Sequence, residues 1–346
     1  MSAARVNLRD LTLSRLEVFF TGLGVEKYRA KQAAEWIFKK GVSGFGEMTN
    51  LSKDLRERVA GAAWLSRPEI HTREVAEQGD AIKYLFRLHD GEAVESVFMR
   101  YDYGSAACVS TQVGCRMGCR LCASGLEGLV RNLSSGEMYD QVLGIQQDTG
   151  ERVSRVVLMG SGEPLDNYRA TLDFISNITA GYGLNISGRH ITVSTCGLVP
   201  AIRDLAAEKL PLTLAVSLHA PEDTLRDTLV PINKKYPLQE LIAACRDYAG
   251  QTGRRVTFEY ALIAGINDRT EQALQLARLL EGMLCHVNLI PANPVAERGV
   301  VPSAQAQVEL FKGVLERHGI AVTVRRKLGA SINAACGQLR RRLPAP

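Results

Sequence analysis

"GCRMGCRLCASG", residues 114–125, places Cys115, Cys119 and Cys122 within eight positions of a 346-residue chain that holds only eight cysteines. It follows a strand-like apolar run, "ACVST" (107–111), and that pairing decides how the rest of the chain is read. Thiolates so spaced hold zinc or an iron–sulfur cluster. A tetrahedral zinc site needs a fourth ligand close by, usually from a second Cys-x-x-Cys or a His pair. The next cysteine is Cys196, so the loop supplies three ligands and leaves one metal position open, as a catalytic site requires. The start of the chain has no apolar segment followed by a cleavage signature, so the cysteines are read as metal-binding or reactive thiols in a reducing, cytoplasmic compartment.

Working outward, the segments after the loop alternate in period. "RVVLMG", "HITVST", "LTLAVSL", "RVTFEYALI", "HVNLIP" and "AVTVRR" read as strands. Between them, "SGEMYDQVLGIQQ", "RATLDFISNIT", "LQELIAACRDYAGQ", "TEQALQLARLL" and "QAQVELFKGVLERHG" read as helices. Repeated βα units predict an α/β fold, a parallel sheet curled into a barrel that is not quite closed. Chemistry in such folds sits on the loops at the C-terminal strand ends. The cysteine loop, Gly162-Glu163, His219 and Asn293 all fall there. Upstream, "LTLSRLEVFFTGLG", "RAKQAAEWIFKKG" and "NLSKDLRERVAGAAWL" predict three amphipathic helices, with Ser52 capping the third. "DAIKYLFRLHDGEAVESVFMRY" alternates around Asp90-Gly91 and predicts a β-hairpin. The organisation expected is a helical accessory module (1–68), a β-hairpin extension (69–100), a barrel core (101–330) and a C-terminal segment (331–346).

Hydrophobic residues at 46% and charged residues at 23% are ordinary for a globular protein, and no run is long enough to span a membrane. Lys and Arg outnumber Asp and Glu by 42 to 37, and the basic residues cluster in "VRRKLG" (324–329) and "LRRRLPAP" (339–346). A phosphate-bearing partner fits that distribution, as does a merely solvated basic face.

The spacing Cys-x3-Cys-x2-Cys after the first barrel strand resembles the radical S-adenosylmethionine superfamily. "LMGSGEPLDN" (158–167) fails as a dinucleotide fingerprint because Leu165 stands at the third glycine position. It looks instead like that superfamily's Gly-Glu-Pro loop. Together with "SLHAP", "VPINKKYPL" and "NAACGQL", it makes nearly the whole chain resemble the RlmN/Cfr family of RNA adenine methyltransferases. The resemblance implies a partial (β/α)6 radical SAM barrel with a small helical N-terminal domain. It implies a [4Fe–4S] cluster on Cys115, Cys119 and Cys122, whose fourth iron takes S-adenosylmethionine. The cofactor contacts it implies are Gly162, Glu163, Ser194, Ser217, Leu218, His219 and Asn293. Read alone, Ser194 and Ser217 are strand-end polar groups and His219 is a core histidine.

By the same resemblance Cys336 is methylated by one S-adenosylmethionine. A second is cleaved to an adenosyl radical that removes hydrogen from the S-methyl group, making two per turnover. The carbon radical then adds to carbon 2 of adenine, an electron-poor position that cannot attack a sulfonium methyl as a nucleophile. Cys108 resolves the adduct through a transient disulfide with Cys336, and Glu95 accepts the ring proton. Without the resemblance, Cys336 is a small buried hydrophobe and Glu95 a half-exposed strand residue. The implied partners are 23S ribosomal RNA (adenosine 2503 of the peptidyl-transferase centre), transfer RNA (adenosine 37) and a flavodoxin-like reductant, with the enzyme a monomer. Pro164 and "INKKY" look more like the carbon-2 enzymes than the carbon-8 resistance enzymes. Ser161 and the loop 124–133 depart from the usual pattern. Cys196, Cys245 and Cys285 match no motif and read as packing. An RNA-binding protein with a purely structural cluster is the alternative from another class.

Overall fold

The computed structural model describes residues 5–293, 299–325, 329, 332 and 337–339. Its N-terminal module is closed by a short parallel pair, β1 (Val6–Asn7) against β2 (Ala63–Trp64). Between them lie α1 (Leu13–Gly22), α2 (Tyr28–Glu35) and α3 (Lys53–Ala62). The predicted apolar stripes are what these helices bury: Leu16 and Phe20, Ala30 and Ala33, Leu55 and Val59. Ser52 caps α3, its Oγ accepting from Leu55 N at 3.3 Å. After α2 a π-turn, Trp36–Lys40, carries Ile37 and Phe38 inward and ends at Gly41 in the left-handed region.

A meander follows: β3 (Glu69–Val75), β4 (Ala81–Arg87), β5 (Ala93–Tyr101) and β6 (Gly104–Cys108), each antiparallel to the last. The predicted hairpin is β4 and β5, paired Leu85 with Glu95. β3 extends it by a mostly exposed, charged edge strand that the apolar pattern did not disclose. The first barrel strand also begins earlier than "ACVST" suggests and ends at Cys108. A two-stranded ribbon, β7 (Gln112–Gly114) with β8 (Leu129–Asn132), then frames the cysteine loop.

The βα repeat runs α4 (Ser135–Thr149), β9 (Val153–Leu158), α5 (Tyr168–Thr179), β10 (Ile191–Thr195), α6 (Val199–Ala207) and β11 (Thr213–Ser217). It continues through α7 (Asp223–Leu229), α8 (Leu238–Thr252), β12 (Val256–Leu262), α9 (Thr270–Leu279), β13 (Cys285–Pro291), α10 (Gln305–Arg317) and β14 (Val322–Val324). One ten-stranded sheet results, in the order β3-β4-β5-β6-β9-β10-β11-β12-β13-β14. From β6 onward every pair is parallel, so the expected partial barrel is present, with β14 as a short seventh strand. Its outer face (Val156, Leu158, Val193, Leu214, Val216, Phe258, Leu289) packs under the helices as one core. The alternate positions, among them Ser194, Ser217, Glu259 and Asn288, are smaller or polar and line a lumen.

α4 joins the module to the barrel. Ser134 and Glu137 form a capping box at its start, and Gly150 closes it at φ +68°. Fully buried Arg9 pairs with Asp140 on this helix (Nε–Oδ1 3.0 Å) while donating to the carbonyls of Ile37 and Val42. Asp10 accepts from Gly136 N, and Tyr139 donates to Phe38 O at 2.9 Å. Among the described residues no helix is long and apolar enough to cross a membrane.

Candidate active site

At the C-terminal ends of the barrel strands lies a cavity enclosing about 1050 Å³ of empty space, part of it open to solvent. Cys115, Cys119 and Cys122 line it from the loop between β7 and β8. Gly162 and Glu163 reach it after β9, Ser194 from the end of β10, and Ser217 from the end of β11. His219 and Asn293 follow β11 and β13 onto its wall. Leu218 does not line it. Its side chain is in the core, its N–H donates to Glu259 O, and its carbonyl accepts from Ala220 N and Arg226 Nε.

The cysteine loop is pinned by its backbone. Cys115 N donates to Gly128 O, and Arg120 N to Leu229 O, both at 2.9 Å. Burial and the neighbouring thiols of Cys119 and Cys122 push the Cys115 thiol up to about 12. Cys119 is shifted the opposite way by the thiol of Cys196, which hydrogen-bonds it and is itself raised. Three thiolates crowded in one partly buried loop are stable together only beside strong positive charge, which a metal centre supplies. Among the described residues no three ligating side chains converge on a position that a single ion could occupy. Cys115, Cys119 and Cys122 nonetheless line one wall of the same cavity, and three thiolates on one loop are a donor set that fits an iron–sulfur cluster.

Beside it the Gly-Glu-Pro loop is held rigid. Gly162 sits at φ +107°, and a Cβ there would stand 2.7 Å from both the Cβ and the backbone N of Gln112. Only glycine fits. Gln112 Oε1 accepts from Glu163 N at 2.9 Å, and its Nε2 donates to Asn132 and Asp166. Glu163 is buried; Oε1 accepts from Leu165 N and Oε2 from Cys196 N, and burial raises its carboxyl above the ordinary range. A buried acceptor so placed suits a cationic amine arriving in the cavity.

Across the lumen, His219 occupies the left-handed region at φ +60° and accepts from Ala261 N through Nδ1 at 3.0 Å. Desolvation, then the Arg226 charge, drives its pKa down to about 3. The ring is neutral, with its proton on Nε2 as a donor. Arg226 is fully buried and ties the "SLHAP" turn together. It donates to the carbonyls of Leu218, Ser217 and Cys196 and to Asn233 Oδ1, and Asn233 in turn donates to Asp223 and Asp227. The segment "VPINK" is thus a brace behind the cavity.

The remaining expected residues lie to one side. Cys108, at the end of β6, packs with Val97, Met99, Met159 and Leu339. Glu95 lies on β5, 3.6 Å from Lys83 Nζ, both side chains nearly buried. Cys336 lies outside the described residues. Its neighbour Gly337 borders the cavity, where its carbonyl accepts from Ala123 N at 2.8 Å. A Cβ on Gly337 would meet Leu121 O at 2.6 Å, and Ser124 Oγ donates to Leu339 O at 2.9 Å. Cys245 is a core residue, as expected, whereas Cys196 is a cavity wall residue. Gln112, Arg226 and Glu259 also serve the site without any local sequence signal.

Residues 6–65 match the family described as the ribosomal RNA large subunit methyltransferase N-terminal domain, and residues 109–277 match the radical SAM superfamily. The probable dual-specificity RNA methyltransferase RlmN of Pelotomaculum thermopropionicum is 69% identical, across 98% of this chain and 92% of that protein. Its namesake in Desulforamulus reducens is 59% identical, across 98% and 97%. The crystal structure of a radical SAM methyltransferase from Sphaerobacter thermophilus superposes with a TM-score of 0.92 at 46% identity, covering 97% of this chain and all of that one.

Proposed function

We propose, for a chain that belongs to the RlmN family of radical SAM RNA methyltransferases, that it methylates carbon 2 of adenine in 23S ribosomal RNA, at adenosine 2503, and in transfer RNA, at adenosine 37. Cys115, Cys119 and Cys122 hold the [4Fe–4S] cluster, and Glu163, Ser194, Ser217, His219 and Asn293 hold S-adenosylmethionine. Bound together, cluster and cofactor supply hydrogen abstraction, using one electron from a flavodoxin-like donor.

The chain's own residues do the rest. Cys336, as thiolate, takes a methyl group from one S-adenosylmethionine, releasing S-adenosylhomocysteine. Once that methyl carbon, stripped of one hydrogen by a second cofactor molecule, is bonded to adenine carbon 2, Glu95 takes the ring proton. Cys108 thiolate then attacks the Cys336 sulfur, forming a disulfide as the carbon–sulfur bond breaks; the released carbon takes a proton to become the methyl group, the unpaired electron left on the ring would return to the metal centre that supplied it, and external thiols reopen the disulfide. A neutral His219 and a Gly-Glu-Pro loop held by Gln112 position the cofactor.

One observation carries the two-thiol reading. The residues that follow Cys336 pack on both reactive neighbourhoods, Gly337 on the cysteine loop and Leu339 in the Cys108 cluster. The test is anaerobic incubation with S-adenosylmethionine, a reductant and a 23S RNA fragment, followed by chromatography of the nucleosides and mass spectrometry of the protein. 2-Methyladenosine and a single methyl on Cys336 are expected. 8-Methyladenosine, or RNA methylated by a Cys336→Ala protein, would refute the assignment.

A further inference from the structure

The N-terminal end of a barrel is ordinarily filled by layers of branched apolar side chains and serves stability. Here that end is hollow. A cavity of about 550 Å³, part of it open to solvent, lies between Tyr103, Arg155, Arg189, Thr192, Thr213 and Arg325, and among the described residues no carboxylate lines it. Such a volume is in the range of small-ligand sites.

Its walls come mostly from the N-terminal ends of the barrel strands, with Tyr101 closing β5 and Arg325 following β14. Tyr101 and Tyr103 form the turn into β6, Arg189 and His190 precede β10, and Thr213 opens β11. Tyr101 and Tyr103 stack nearly parallel, centroids 5.0 Å apart at 9°. The Arg155 guanidinium lies over the Tyr103 ring at 4.8 Å. Tyr103 is 64% exposed, an unusual cost for a ring that packs on so little protein. Arg155 Nε is buried and makes no hydrogen bond among the described residues. Planar groups laid flat beside arginines such as Arg155 and Arg189 are the recognition chemistry of an unpaired nucleotide, whose base stacks and whose phosphate takes the charge. Arg325 lines both this hollow and the cavity of the cysteine loop, so the two lie at opposite ends of one lumen.

We infer that the N-terminal mouth of the barrel binds one unpaired ribonucleotide of an RNA strand, its phosphate on Arg189 and Arg155 and its base against the Tyr101–Tyr103–Arg155 ladder. The inference rests on the reading of the chain as an RNA methyltransferase and adds a second grip on the strand, away from the chemistry.

The test is fluorescence anisotropy of cluster-loaded protein with a labelled, unstructured oligoribonucleotide across a salt series. Arg189 and Tyr103 are both exposed, so Arg189→Ala and Tyr103→Ala leave the fold in place. Arg189→Ala flattens the slope of log K against log salt by about 0.7, the loss of one single-strand phosphate contact. Tyr103→Ala weakens binding about 5- to 150-fold at unchanged slope, as loss of one stacked base requires. The same sequence presented as a duplex loses the Tyr103 dependence, and AMP alone competes only weakly. Wild-type affinity and slope in both variants overturn the inference. So does a duplex that keeps the Tyr103 dependence, or AMP binding as tightly as the strand. A wild-type protein that methylates RNA while both variants bind normally removes only this site. One that neither binds RNA nor carries the Cys336 methyl removes the function it rests on.

Discussion

Replacing Gly162 by alanine tests whether the Gly-Glu-Pro loop is a rigid part of the cofactor site. At φ +107° an L-residue is strained by about 1–3 kcal/mol. The new methyl would also lie 2.7 Å from Gln112 N and 2.8 Å from Thr111 Oγ1. Gln112 N cannot retreat cheaply, because it donates to Ser161 O and its residue pairs with Asn132 across the β7–β8 ribbon. The loop must give instead, losing the Glu163 N–Gln112 Oε1 bond and a net contribution of about 1 kcal/mol. Strain, overlap and lost bond together come to about 3–5 kcal/mol, so the native loop becomes about 10²–10⁴ times less populated relative to displaced forms. S-Adenosylmethionine affinity should fall by that factor, measured by equilibrium binding on anaerobically reconstituted protein of wild-type iron content. Gly150→Ala is the control. Gly150 has φ +68° and nothing within 4 Å of its Cβ position, so it should lose about 1 kcal/mol of stability and no affinity. A Gly162→Ala protein that carries its iron and binds the cofactor within about threefold of wild type would refute the reasoning.

Arg226→Lys removes the guanidinium fork that joins Leu218, Ser217, Cys196 and Asn233. An ammonium cannot meet that set, and at least two buried acceptors go unmet; urea unfolding should show a loss of about 2–4 kcal/mol, and an unchanged midpoint would contradict it. Asp140 is buried so deeply that desolvation outweighs Arg9 and lifts its carboxyl from 3.8 to about 6. Between those values the folded chain binds more protons than the unfolded one, so this group's contribution to stability falls as pH rises through the window. Wild type should lose up to about 3 kcal/mol relative to Asp140→Asn from about pH 4 to about pH 7, and parallel pH curves would exclude the effect. His219, with its pKa near 3, is neutral throughout the working range. Cofactor affinity should therefore show no inflection near the usual histidine pKa, and one that vanishes in a His219→Gln protein would show the ring to be charged.

What could be read without coordinates was what spacing encodes locally. The three-cysteine loop and Gly162-Glu163 carry their chemistry in adjacent residues, and the barrel strands announced themselves because their buried faces demand apolar runs. The brace around Arg226 could not be read, since "DTLRDTL" looks like any polar helix until its partners at Cys196, Leu218 and Asn233 are known. Gln112 and Cys196 were hidden for the same reason, their contacts being made with Glu163, far away in sequence. Leu218 illustrates the opposite limit. It stands inside a matching motif, yet its side chain and both backbone groups are spent on the core and its neighbours. β3 escaped notice because a solvated edge strand has no apolar face to display.

The attachment of the N-terminal module through α4 has a geometric consequence. Arg9, Asp10 and Phe38 are bound to Asp140, Gly136 and Tyr139, and the start of the same helix is capped two residues beyond β8, the ribbon strand flanking the cysteines. Module and cysteine loop are thus both anchored on one fifteen-residue helix, which fixes the span between them by its own length.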